Sequence, residues 1–127
     1  MNTQALDQTL NERGNNYGNF HTQANLAQTL TAIIAQHYVS VHKESNQPLP
    51  HFMAEAIHMI CHKLARIVNG NPFYSDSWHD IGGYSQLVVQ ILEEAQRNEA
   101  IAAEKAKALM DAAAEEESKS EEGTTNG

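Results

Sequence analysis

His51, Glu55, His58 and His62 recur at intervals of 4, 3 and 4 residues. At about 100° per residue they fall within roughly 60° on one face of a helix, and Arg66 continues the row. Two imidazoles and a carboxylate so placed form a ligand set for a divalent metal, as paired histidines one turn apart do in zinc sites. The row also lies opposite the apolar stripe of its own segment, so it equally reads as a solvated face. A second cluster follows in NGNPFYSDSWHDIGGY. Asp76 and Asp80 stand one turn apart there, and Lys63 and Arg66 do so on the preceding segment. Carboxylates meeting a Lys and an Arg across an inter-helix groove would hold a magnesium ion and the phosphates it bridges. The same residues would equally make a salt bridge, Lys63 to Asp80, with Asp76 placed at the positive end of its helix.

Trp78 and Tyr84 bracket this second cluster, and their rings suit either a core or a base-stacking platform. Nearer the start, ERGNNYG sets Arg13 and Tyr17 among glycines that permit positive φ. That pair could clasp a phosphate or pin the turn to the rest of the domain. Gly82 and Gly83 cost a helix about 1 kcal/mol each relative to alanine, and close approach of a neighbouring helix is the expected compensation.

Helices must position all of these groups. Thr3 to Arg13 reads as a short helix closed by Gly14, followed by a turn to Asn19. From Phe20 to Val41, apolar residues at Phe20, Ala24, Ala27, Leu30, Ile34, Tyr38 and Val41 recur every three or four positions and predict a second, amphipathic helix. Pro48 and Pro50 predict a loop, with the third helix starting near Pro50. Met53, Ala56, Ile57, Ile60, Leu64 and Ile67 fall within about 100° and predict its buried stripe. Asn69, Gly70, Asn71 and Pro72 end it. A fourth helix starts around Ser75 to Ser77, where Ser77 and Asp80 match a capping-box spacing. Its apolar positions are Trp78, Ile81, Ser85, Val88, Ile91 and Leu92.

The expected fold is all-α: a bundle of three core helices plus a short N-terminal one over residues 1–95. A protruding Ala/Glu/Lys-rich helical extension covers 96–116, and an acidic tail expected to be disordered covers 117–127. A chain of 127 residues with 41% apolar residues suits one core rather than two. Its formal charge of −8 excludes a generic nucleic-acid surface, since its few cations are scattered. Cys61 is the single cysteine, which excludes an intrachain disulfide and a multi-cysteine zinc site. Met1 to Leu10 is polar rather than signal-like, and no apolar run approaches the roughly 20 residues that cross a bilayer. The cytoplasm is the expected location.

The pattern ERGNNYGNF, then MICHKLARIVNG, then YSDSWHDIGGYSQLV, resembles a family of small bacteriophage and prophage proteins of unknown function, over about Leu10 to Leu92. The resemblance implies a phage origin and action in the host cytoplasm. A more distant likeness is to the all-α nucleoside triphosphate pyrophosphohydrolases, the MazG-like enzymes. Those enzymes hold magnesium with Glu-x-x-Glu and Glu-x-x-Asp pairs. Asp80 matches the later carboxylate and Glu55 stands for an earlier one, whereas His58 and Ser77 occupy the positions of their acidic partners.

The sequence thus leads to a phage accessory protein that binds a nucleotide or nucleotide-derived phosphate between its third and fourth helices. Lys63, Arg66, Arg13 and Tyr17 would contact the ligand, Trp78 or Tyr84 would stack on its base, and Glu55, Asp76 and Asp80 would hold magnesium. Catalysis is not required by this reading; a hydrolytic version would be a metal-dependent nucleotide pyrophosphohydrolase. The alternative is a non-catalytic module that inhibits or redirects a host protein through its acidic extension and histidine row. With 6% aromatic residues, a bundle this small would gain core by pairing as a homodimer.

Overall fold

A computed structural model describes residues 3–125. Four helices follow in order, α1 (Thr3–Tyr17), α2 (Phe20–Val41), α3 (His51–Asn69) and α4 (Ser75–Thr125), and the described residues contain no strand. The protein is an all-α bundle. It divides into a unit that ends at Val88 and one that begins at Val89. The division falls about two helical turns before the expected boundary at 95. Val88 is the last half-buried position, and residues 89–123 are all exposed.

The first helix is longer than its composition suggests. Gly14 does not close it: a Cβ there would meet nothing within 4 Å, and α1 runs on to Tyr17. Gly18 is the terminator, at φ +80° with its N–H donating to the Gly14 carbonyl at 2.9 Å. A side chain at Gly18 would collide with the Asn69 carbonyl, and one at Gly70 with the Asn16 carbonyl. The ends of α1 and α3 therefore meet backbone to backbone, and the Asn71 N–H donates to the Asn16 carbonyl at 2.8 Å. Asn19 then caps α2, its side chain accepting from the Thr22 N–H at 3.2 Å. Pro50 sits one position ahead of α3, its carbonyl accepting the first helical bond from the Ala54 N–H at 3.0 Å.

The apolar stripes are only partly covered. On α2 the buried positions are Ala27 and the polar Gln23, whereas Phe20 and Val41, at the two ends of the expected stripe, are exposed. On α3 only Ala56 and Ile67 of the expected stripe are buried; Cys61 and Ala65, off that stripe, are buried as well, and Leu64 is exposed. The reason is that α2 packs against α3 from the side of Cys61, Ala65 and His62, next to the stripe rather than on its centre. Ser77 is buried inside α4 rather than at its start, because the helix begins at Ser75. The expected capping box therefore does not form. Gly82 and Gly83 face open space, so close packing by α2 does not explain them. Helix α4 is described to Thr125, through most of the segment expected to be a disordered tail. The Ala, Glu and Lys content that favours helix without tertiary help lies in residues 96–116, directly before that segment. Residues 126–127 lie outside the described residues.

Candidate functional site

The junction of α1 and α3 fixes Tyr17 against Arg66. The Arg66 guanidinium carbon lies 4.2 Å from the Tyr17 ring centroid, a cation–π arrangement that holds a charged group over an apolar ring. The edge of Tyr74 packs on Tyr17, with centroids 5.8 Å apart and planes at 64°. Tyr74 in turn donates its hydroxyl to Asp76 Oδ2 at 2.8 Å. That hydrogen bond, reinforced by the Asp76 charge, pushes the phenol up to about 12, so it stays a donor through the physiological range.

Beside this stack lies a hollow of about 240 Å³, lined by Thr9, Glu12, Arg13, Asn16, Tyr17, Arg66 and Tyr74. Its wall is polar and carries two guanidinium groups against one carboxylate. Arg66 Nε is buried with no hydrogen-bond partner, and so is the side-chain nitrogen of Asn69. Burying a donor unmet costs about 1–3 kcal/mol, more when it is charged. Arg66 lines the hollow whereas Asn69 does not, and the partner that would satisfy a guanidinium N–H there is an acceptor, best an anionic one.

The two groups expected to face each other across a groove between α3 and α4 pair directly. Lys63 Nζ meets Asp80 Oδ2 at 2.9 Å, with side-chain exposures of 12% and 42%. The Lys63 hydrogen bond, aided by its charge, holds the Asp80 carboxyl below the usual range. Of the expected ligand contacts, Arg13, Tyr17 and Arg66 come together; Lys63, Trp78 and Tyr84 do not join them. Trp78 donates its indole N–H to the Pro72 carbonyl at 3.0 Å, which pins the residue while its ring stays largely exposed. Tyr84 is half-buried on α4 and does not line the hollow. Glu55, Asp76 and Asp80, the expected magnesium ligands, do not gather either. Glu55 is exposed, Asp76 accepts from Tyr74 and Asp80 is held by Lys63. Among the described residues no group of three or more His, Cys, Asp or Glu could hold a metal ion.

The histidine row is not a uniformly solvated face. His51 and Glu55 are exposed, but His58 and His62 are half-buried. The amide nitrogen of Gln23, itself buried, approaches His62 Nδ1 at 3.3 Å. An imidazole that accepts there must be unprotonated. Burial first, then the charges of Arg66, Lys63 and His58, lower its pKa from 6.5. His62 is thus a neutral packing residue between α2 and α3.

Sequence reasoning missed Thr9, Glu12, Asn16 and Tyr74 as lining residues. The signal was available: Thr9, Glu12, Arg13 and Asn16 are spaced as one face of a helix, provided the helix is allowed to run through Gly14. Compared with family models, with curated proteins and with solved structures, the chain finds no match, so the reading of this site rests on its own geometry.

Proposed function

We propose that this protein binds a nucleotide or nucleotide-derived phosphate, with the anionic group in the hollow formed by Arg13, Tyr17 and Arg66 rather than between Lys63 and Asp80. The observation that carries the reading is the buried, unpartnered Nε of Arg66 at a polar cavity. Arg66 is pre-oriented by Tyr17, so little side-chain entropy is lost when an oxyanion arrives. Arg13, exposed at the rim, supplies the second cation, and Asn16 and Tyr74 supply further polar groups. A hollow of about 240 Å³ admits a phosphate with part of its sugar and leaves the base outside. The reading needs no resident metal and no catalytic step. The likeness of the ERGNNYG and DSWHDIGGY segments to phage proteins adds a setting, an accessory protein acting in the host cytoplasm.

Isothermal titration with nucleoside triphosphates and cyclic dinucleotides, with and without magnesium, tests it. Heat with at least one of these ligands is expected, and silence with all of them counts against the proposal. Phosphate release on incubation with a ligand that binds would add hydrolysis to binding. A second reading, a module that engages a host protein through its acidic extension, draws on a different observation. Leu109 and Met110 are 73% and 74% exposed within an uncovered helix, and apolar side chains presented that way are typical anchors for a partner. It predicts that deleting residues 100–127 abolishes function while phosphate ligands give no heat.

A further inference from the structure

We propose that the hollow selects a phosphate monoester carrying one proton over a phosphodiester or a sulfate, and that Glu12 is the residue that makes the distinction. This deepens the phosphate reading of the site and rests on it. The wall brings together groups that a guest must satisfy in opposite ways. Arg13 and Arg66 line it with guanidiniums, which only donate, and the buried Nε of Arg66 has no partner. Glu12 lines the same hollow, and an ionised carboxylate only accepts. Two other lining groups have already committed their protons. The Thr9 hydroxyl donates to the Ala5 carbonyl at 2.9 Å, and the Tyr74 hydroxyl donates to Asp76 at 2.8 Å.

The carboxylate and the guanidiniums do not satisfy one another. Among the described residues neither Arg13 nor Arg66 makes an ion pair with Glu12. The hydrogen bond that Glu12 accepts from Gln8 Nε2 is long, at 3.5 Å. A guest that bridges these groups must therefore accept from the arginines and donate to Glu12. A phosphate monoester does both, because its second pKa is about 6 and it can keep one proton while its other oxygens stay anionic. A phosphodiester and a sulfate are anionic too, but near neutrality they have no proton to give. To them Glu12 is an uncompensated like charge. The charge of the wall agrees: two guanidiniums against one carboxylate leave it singly positive, which matches a singly protonated monoester. Size agrees as well. A hollow of about 240 Å³ falls below the roughly 300–1,000 Å³ of pockets that enclose a whole ligand. It suits a terminal group better than a diester, which carries a substituent on each side.

Calorimetric titration on the full chain, at one pH near neutrality, tests the inference with two matched pairs. The first is a nucleoside mono- or triphosphate, whichever binds tighter, against the same compound methylated on its terminal phosphate. The second is inorganic phosphate against sulfate. Wild type is expected to prefer the protonatable member of each pair by about tenfold or more, the worth of one hydrogen bond to a charged group. Glu12 is exposed on α1, so Glu12→Gln should fold as wild type does. Its amide can donate where the carboxylate could not, so the variant should bind the methyl ester and sulfate more tightly and lose the preference. Asp7→Asn removes the same charge from an exposed position of α1 outside the hollow and should keep it. Equal binding within the pairs by wild type, or a preference that persists in Glu12→Gln, overturns this inference and leaves the phosphate reading standing. Binding confined to cyclic dinucleotides does the same. Heat from none of these ligands overturns both.

Discussion

The guanidinium carbon of Arg66 sits 4.2 Å from the centroid of the Tyr17 ring, joining the end of α1 to the last turn of α3. This contact is possible because Gly18 and Gly70 let the two chain ends meet without side chains between them. The pair is therefore both a structural clasp and the floor of the polar hollow. Its two roles can be separated. Arg66→Lys keeps the charge but loses the planar stack and the fork of donors. We expect phosphate-ligand affinity to fall about tenfold or more, the loss of one charge-assisted hydrogen bond being worth about 1.5–3 kcal/mol. Titration calorimetry reads it directly. Tyr17→Leu should lower both the melting temperature and affinity, because it removes the platform on which Arg66 rests.

The glycines make a set of opposed predictions. Gly18→Ala would put a Cβ on a residue at φ +80° and drive it into the Asn69 carbonyl. The left-handed backbone alone costs about 1–2 kcal/mol, and the collision adds to it. Gly14, Gly82 and Gly83 are helical with open space around them. Alanine at each should stabilise by about 0.5–1 kcal/mol. Thermal or urea unfolding of the four variants would show whether the sign changes as expected.

Stability should depend on pH through His62. Its folded pKa is lowered from 6.5, so between that lowered value and 6.5 the unfolded chain binds more protons than the folded one. The contribution of neutral His62 is fully present above pH 6.5 and is lost as the pH falls below it, levelling off beneath the folded pKa. His62→Gln, which cannot titrate, should flatten this slope in melting temperature against pH. A slope unchanged in the variant would assign it to other groups.

The Lys63–Asp80 bridge should matter little for ligand binding and modestly for stability. Asp80 is 42% exposed, and solvent screens such a pair. Asp80→Asn is expected to lower the melting temperature slightly at neutral pH. The effect should fade as the pH drops below 3.8, where the carboxyl loses its charge in the unfolded chain and then in the folded one.

Helix content was legible in the sequence because three- and four-residue apolar spacing survives any detail of packing. The ends of α2 and α3 were legible for local reasons: Asn19 is a capping residue, Pro50 fixes the backbone ahead of α3, and Gly70 follows its last residue. The end of α1 was not, since Gly14 and Gly18 look alike in sequence and only the approach of Asn69 distinguishes them. Arg13, Tyr17 and Arg66 were named individually, but which of them meet depends on that same junction. The assignment of α3's burial failed for a related reason. A hydrophobic stripe marks the face that avoids water, but α2 meets α3 beside that stripe, where Cys61 and Ala65 are buried. For the α3–α4 cluster the sequence left a phosphate groove and a Lys63–Asp80 salt bridge side by side, and the 2.9 Å pair is the second of these.

The most direct test compares wild type, Arg66→Ala and Asp80→Asn by calorimetric titration with whichever nucleotide or cyclic dinucleotide the wild type binds. We expect Arg66→Ala to lose measurable binding while Asp80→Asn retains it within a few-fold, both remaining folded. Binding that survives in Arg66→Ala but vanishes in Asp80→Asn would contradict the placement of the anion beside Tyr17.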